Sequence, residues 1–386
     1  MIRFLQEAKF VLPKPHLDEP IRHDGPRGPH KGMLHSVSPP GFFDRVFPFR
    51  PRSGQSLVPQ ELGWDLVPTV HIGSGQKGSV WKARLVLEDG VEREVAVKVI
   101  AQTDQEVKKT ARESRIMEIL KGGAFLEHHG WWEAQGSILV IMELADGDLG
   151  SLVVKQPFSA VGFAERLRLF AELLEGLKEM ADHGLVHRDV KPANILLKTS
   201  TNGVHIKIAD FGLACSLPGG PEAFRLSGDE ATKRPGTIIR MAPEAWHGGC
   251  CPKADIYAAG VLLYQLMFEG RLPPWFYWAW DEAGGSNNHE FRSLLYSYDV
   301  EKDALIAAAV SVAEAEGDRV AKKLLRLLER MLARDPDARI DVQMASRDLR
   351  FVLRRLWRPH PEHDTQGTLQ IACGAISAGA LSAGSR

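Results

Sequence analysis

Cysteine is sparse in this chain: four residues in 386, Cys215, Cys250, Cys251 and Cys373, at spacings that make neither a CxxC metal motif nor a disulfide framework. Four free thiols and a reducing compartment are the expectation. The chain also lacks an excess of either charge. Its 48 Lys and Arg against 49 Asp and Glu leave a formal charge of -1, so no bulk field holds it to nucleic acid or to an anionic membrane, and no nucleic-acid partner is expected. No apolar run reaches the roughly 18 residues that a membrane-spanning helix needs. The most apolar stretch, Ile256 to Phe268, has the length of a core helix. The start, MIRFLQEAKFVLPKP, carries Glu7 and Lys9 and no small-residue cleavage site after an apolar segment, so it does not read as a secretory signal. The expected location is the cytoplasm, with nuclear entry and organelle targeting through the N-terminal extension left open.

Proline is scarce beyond residue 60, because ten of the 23 prolines lie before it, mixed with Gly and His, where no hydrophobic period survives. Residues 1–63 therefore read as a disordered extension. Phe42, Phe43, Phe47 and Phe49 supply the competing reading, a segment that docks on the folded part. Residues 358–386, rich in Ala, Gly and Ser, read as a second tail. Between the tails, residues 64 to about 150 show strand alternation with one strong helical stretch, Gln105 to Lys121, and residues 159 to 357 show long helical periods around two hairpin-like pieces, NILLK and HIKIAD. The expected fold is α+β and bilobal: a small β-rich lobe with one helix, then a larger, mostly helical one. A cleft between the lobes is the expected ligand site.

The first chemical signal is Ile72-Gly73-Ser74-Gly75-Gln76-Lys77-Gly78-Ser79-Val80, a GxGxxG run in which glycines let backbone amides approach phosphate oxygens. The residues directly after its last glycine, SVWKARLVL, read as a strand rather than a helix, which makes the run the tip of a β-hairpin. A second strand, EVAVKVI, alternates so that Lys98 shares a face with Ala96 and Ile100 while Val95, Val97 and Val99 take the other. Glu113 has Ile116, Met117 and Leu120 at i+3, i+4 and i+7, on the apolar stripe of its helix. A carboxylate there needs a cation, and pairing with Lys98 is the economical solution.

Three further motifs stand in order along the chain: His187-Arg188-Asp189-Val190-Lys191-Pro192-Ala193-Asn194, Ala209-Asp210-Phe211-Gly212, and Met241-Ala242-Pro243-Glu244. Each matches a protein-kinase signature, HRDxKxxN, DFG and APE, after the glycine loop and the strand lysine. The chain thus resembles the eukaryotic protein kinases of serine/threonine type over roughly residues 64–357. That resemblance divides the domain into an N-lobe of about 64–142, a hinge of about 143–147 and a C-lobe of about 148–357. It implies ATP and Mg2+ as cofactors and protein substrates with Ser or Thr acceptors; the oligomeric state is not legible.

By the same resemblance Asp189 is the base, Lys191 reaches the γ-phosphate, Asn194 and Asp210 hold the metal, and Lys98 with Glu113 holds the other phosphates. Ile72, Gly73, Ser74, Gly75, Gly78, Val80, Ala96 and Leu196 would enclose the nucleotide. Met142 looks like the gatekeeper, Glu143 and Ala145 like the hinge contacts to adenine, and Asp148 like the ribose contact. Asp255 looks like the carboxylate that holds the catalytic loop, and Arg339 like the partner of Glu244. Lys191 and Thr237 suit a small hydroxyl acceptor, while Arg240 stands where the family often has an aromatic residue. Arg188 before Asp189 goes in this family with a phosphate on the segment between DFG and APE, for which Thr232 is the first choice and Ser227 the second. A catalytically weak kinase-fold scaffold is the alternative, against which Lys98, Asp189 and Asp210 are all present.

Overall fold

A computed structural model describes residues 56–58, 65–75, 78–87, 90–134, 136–154, 161–217, 238–283 and 289–356. Phe42 to Phe49, Thr232, Ser227, Thr237, the second tail and all of the first extension except residues 56–58 lie outside these residues.

The small lobe is a five-stranded antiparallel sheet in the order β1-β2-β3-β5-β4, from β1 (Asp65–Gly75), β2 (Gly78–Val86), β3 (Glu92–Ala101), β4 (His128–Ala134) and β5 (Ser137–Glu143). Alternation gives this sheet two faces. Val95, Val97 and Val99 of β3 pack with Leu139 and Ile141 on one, and Leu57 and Val58, upstream of β1, join them in the same core. The Leu57 amide donates to the Leu66 carbonyl at 2.7 Å, so packed chain begins before residue 64. The opposite face carries Ile100, Ile138 and Val140, with Lys98 in register with Val140.

Helix α1 (Asp104–Ile119) starts at Thr103, whose side chain accepts from the Glu106 amide. Its buried residues Ile116 and Met117 join the core of the large lobe rather than that of the sheet, together with Phe125 and Phe211. The one helix of the small lobe therefore spans both halves of the cleft.

The large lobe begins with β6 (Gly147–Asp148), α2 (Leu149–Val154) and α3 (Phe163–Asp182), followed by β7 (Leu185–Val186) and the hairpin of β8 (Ile195–Ser200) and β9 (Gly203–Ile208). β10 (Cys215–Ser216) returns to pair with β7, and β6 joins the hairpin edge. Helix α4 (Pro252–Met267) is buried on nearly every side, as its continuous apolar sequence requires. Around it lie α5 (Pro274–Glu282), α6 (His289–Ser297), α7 (Asp299–Ala315), α8 (Arg319–Met331) and α9 (Val342–Leu356). Trp275 and Phe276 of α5 are in the core, so the aromatic cluster PPWFYWAW is packing and not an exposed patch. No helix among the described residues is long and apolar enough to cross a membrane.

One cross-link ties α4 to the loop before it. Arg339, fully buried, forms a bidentate pair with Glu244, at 2.5 Å and 3.0 Å, and donates as well to the carbonyls of Lys253 (2.8 Å) and Ala333 (2.9 Å). Removing one partner of a buried pair leaves the other desolvated and uncompensated. Arg339→Met is expected to lower stability by about 3–5 kcal/mol in denaturant unfolding; a loss under about 1 kcal/mol would show the pair to be solvated.

The expectation of four free thiols is wrong. Cys215 and Cys250 are disulfide-bonded, Cys251 is free, and Cys373 lies outside the described residues. The bond joins β10 to the loop before α4, 35 residues later, a proximity that exists only once β10 has paired with β7. The argument from cysteine count to a reducing compartment falls with it.

Candidate active site

Strand register builds the upper wall of the cleft. Gly73 lies opposite Val80, Val80 opposite Lys98, and Ala96 opposite Met142, which places the glycine loop, the lysine and the gatekeeper position side by side on adjacent strands. Gly78 has φ 154°, and a Cβ there would stand 2.2 Å from the Val99 carbonyl oxygen, so only glycine fits where β2 leaves the loop. Ile72 and Ser74 are exposed at the loop. Gly75, the last residue of β1, pairs with Gly78.

Lys98 is mostly buried and lies 4.0 Å from the Asp210 carboxylate. Burial works to lower its pKa, but the charges of Glu113, Asp210 and Glu106 outweigh it and hold the ammonium above its ordinary value. Glu113 is thus the strongest electrostatic partner of Lys98, while the ion pair at 4.0 Å is with Asp210. The pairing of Lys98 with Glu113 expected from the sequence omits the carboxylate that the other lobe contributes.

The lower wall is organised by the hairpin of β8 and β9. The Ala209 amide donates to the Asn194 carbonyl at 2.9 Å, which brings Asn194 and Asp210 to the same end of the hairpin. Asp210 adopts φ 61°, a left-handed conformation that turns the chain into the short helix Phe211–Leu213. Phe211 is buried against Phe125 and His187 at ring-centroid distances of 6.2 Å and 5.3 Å, which fixes the turn.

Asp189 is buried. Its Oδ2 accepts from Lys191 Nζ at 2.6 Å and from Asn194 Nδ2 at 3.0 Å, and Asn194 Nδ2 also reaches the Asp189 carbonyl at 2.9 Å. The loop carrying it is held from below: the amides of His187 and Arg188 donate to the two oxygens of Asp255 at 2.7 Å and 2.8 Å. Burial pushes the Asp255 carboxyl up, against the pull of His187 and Arg188, as expected of a carboxylate spent on backbone amides in the core. Arg188 has φ 63°, a costly conformation for a non-glycine residue that these bonds sustain.

In the stretch expected to be the hinge, the Glu143 amide donates to the Glu127 carbonyl at 2.9 Å, and the Glu143 carboxylate lies 3.6 Å from Lys207. Ala145 is half-buried. Asp148 is opposite Leu196 across β6 and β8, and its carboxylate accepts from the amide and hydroxyl of Ser151, both at 2.8 Å. It therefore caps the first turn of α2 besides facing the cleft wall.

Arg240 is buried: one Nη donates to Gln265 Oε1, and its Nε has no hydrogen-bond partner among the described residues. Burial lowers its pKa to about 10, against the opposing charge of Asp189. Arg112 carries no signal in the sequence, yet its guanidinium donates to the Ala214 carbonyl and links α1 to the chain just after Phe211–Leu213.

As metal donors, Asp210 offers a carboxylate, and Asn194, with its Nδ2 spent on Asp189, has Oδ1 left to accept; both are the hard oxygens that Mg2+ prefers. Among the described residues no three His, Cys, Asp or Glu side chains gather around one point, so phosphate oxygens and water must complete such a site. The residues fit a metal that arrives with a nucleotide.

This arrangement is that of a protein kinase, and the chain belongs to that family: the protein kinase domain family matches it over residues 67–349. Among curated relatives, the chain is 32% identical over 209 residues to the serine/threonine-protein kinase ATG1b of Arabidopsis thaliana, covering 53% of this chain and 27% of that protein. It is 29% identical to the sucrose non-fermenting protein kinase 1 of Fusarium virguliforme, over 51% of this chain and 27% of the relative. It is 27% identical to the calcium/calmodulin-dependent protein kinase type II subunit delta of Oryctolagus cuniculus, over 70% and 46%. The matches span a quarter to a half of these relatives' length.

Proposed function

We propose that the chain is an active serine/threonine protein kinase that transfers the γ-phosphate of Mg-ATP to a hydroxyl of protein substrates. The observation that carries this reading is the pairing of two constellations across one cleft: Lys98 against Asp210, and Asp189 held by Lys191 and Asn194. Asp189 accepts the proton of the acceptor hydroxyl; that oxygen bonds to the γ-phosphorus as the bond to the bridging oxygen breaks, and ADP leaves. Lys191, at 2.6 Å from the base, supplies a cation beside the transferring group. Lys98, kept charged by three carboxylates, neutralises the remaining phosphates. Bound Mg2+ would add charge neutralisation at phosphate oxygens, with Asp210 and Asn194 as its protein ligands.

Incubation with Mg2+ and labelled ATP, with and without a generic protein acceptor, tests the reading. Label on protein supports it; nucleotide binding without transfer would favour the scaffold alternative. Asp210→Asn is expected to weaken Mg-ATP binding by about tenfold or more while adenosine binds as before. Equal calorimetric affinity for Mg-ATP in parent and variant would remove Asp210 from the metal site. Buried Arg240 beside Asp189 would make the acceptor pocket differ in shape from that of relatives with an aromatic there.

A further inference from the structure

The same two stretches of chain are tied together twice. Arg188, next to the base, donates from Nε to the Leu213 carbonyl at 2.7 Å and from Nη1 toward the Gly249 carbonyl at 3.5 Å. Two residues beyond Leu213 is Cys215, one residue beyond Gly249 is Cys250, and these are joined covalently. The disulfide therefore closes, around Arg188, the two ends of the segment that runs from Asp210 past Glu244. Its entry end is fixed further by the pairing of Cys215 with Val186, directly before the catalytic loop, and by the Leu217 amide donating to the Gly184 carbonyl at 2.8 Å.

The bond is also reachable. Cys215 is buried, but Cys250 is half-buried beside exposed Gly249 and opens on a cavity of about 330 Å³. Arg188 and Arg240 are on the wall of that cavity together with Glu244, paired with Arg339, and Asp255, bonded to the amides of His187 and Arg188, which leaves the two guanidinium groups as the cations that would face a thiolate of reduced Cys250. Free Cys251 lines the same cavity and directly precedes α4 as its N-cap residue.

We propose that Cys215 and Cys250 are a reversible redox modification site, oxidised by a low-molecular-weight disulfide such as glutathione disulfide, whose closed form holds the catalytic loop and the segment ends in the working arrangement without a phosphate on the segment. The inference rests on the kinase reading above. In the closing reaction the Cys250 thiolate attacks one sulfur of glutathione disulfide and expels a glutathione thiolate. Cys215 then attacks Cys250 Sγ and expels the second. Two protein thiols are oxidised by two electrons, two glutathiones are formed, and the two thiol protons end on them. In the reduced form the loop before α4 loses its covalent tie to β10, and although Arg339 still holds its ends at Glu244 and Lys253, the contact from Arg188 to Gly249 is a long one, so the middle of the loop is held less firmly beside the base.

The test uses the full chain after phosphatase treatment, one half equilibrated with glutathione disulfide and one half with dithiothreitol. Alkylation and peptide mass should show Cys215 linked to Cys250 only in the oxidised half. The oxidised half should transfer phosphate at least about fivefold faster and melt about 5 °C higher. Cys250→Ser should give one rate and one melting temperature in both halves, and Cys251→Ala should behave as the parent. The proposal is overturned if no such linked peptide forms, if it forms with rates within about 1.5-fold, or if Cys250→Ser keeps the response. Absence of transfer from every sample would instead sink the kinase reading, and the stimulation with it. In that case a linked peptide without a thermal shift would show that the bond holds nothing in place.

Discussion

Lys98→Met is expected to lower phosphoryl transfer by about a hundredfold to a thousandfold, with the protein still folded. The size follows from the position of the ammonium. It lies on the cleft face of β3, 4.0 Å from Asp210, with Glu113 and Glu106 adding to the field that keeps it protonated. Phosphoryl transfer asks the protein mainly for alignment and charge neutralisation, and under the proposed function this group would supply both to phosphates that a glycine loop does not neutralise alone. The fold survives because methionine matches the length of the lysine stem and packs among Val80 and Val140, its neighbours by register, and Ala96, two residues away on the same face of β3. The loss also leaves Asp210 and Glu113 without their common cation, so some nucleotide affinity goes with it. A melting temperature within a few degrees of the parent, together with lost transfer, is the result to look for. Transfer within a few-fold of the parent would remove Lys98 from the chemistry.

The parts of the site legible in the sequence are those that one element carries by itself. Period-2 alternation put Lys98 on the face away from Val95, Val97 and Val99, and the sheet has that arrangement. The strand after the glycine run is also where the sequence placed it, since a hairpin and a helix differ in period within a few residues. Illegible were the contacts that depend on two elements meeting. No spacing rule connects Cys215 with Cys250, because their approach is made by the pairing of β10 with β7, a match of two residues too short to leave a pattern. Nothing in the helical pattern distinguishes Arg112 from other charged residues, while its guanidinium donates to the Ala214 carbonyl of the other lobe. Leu57 and Val58 were hidden by neighbours: two apolar residues within proline- and glycine-rich chain carry no period, although burial against Leu66 and Val97 makes them core. Lys98 shows both sides of the matter: its face was set by its own strand, and its ion pair with Asp210 by the opposite lobe.

Asp189→Asn is expected to lower the transfer rate by about a hundredfold to ten-thousandfold, the range for loss of a positioned base, while ATP affinity is nearly kept. The separation of the two quantities is the informative part. Asp189 is bonded to Lys191 and Asn194, both on its own loop, and under the proposed function its carboxylate would serve the acceptor hydroxyl rather than the nucleotide. An asparagine of the same shape keeps the backbone bond from Asn194 Nδ2 to the residue 189 carbonyl, and the loop remains fixed from below by Asp255. It can still accept one hydrogen bond, but it has no charge to draw the hydroxyl proton and none to offset Lys191. Freed of its partner at 2.6 Å, Lys191 can turn fully toward the phosphates, which is why ATP binding should not fall. Single-turnover transfer and equilibrium nucleotide binding, measured on the same preparation, separate the effects. A parallel loss of both would mean that the substitution had disordered the loop rather than removed a base, and full activity would move the base elsewhere in the cleft.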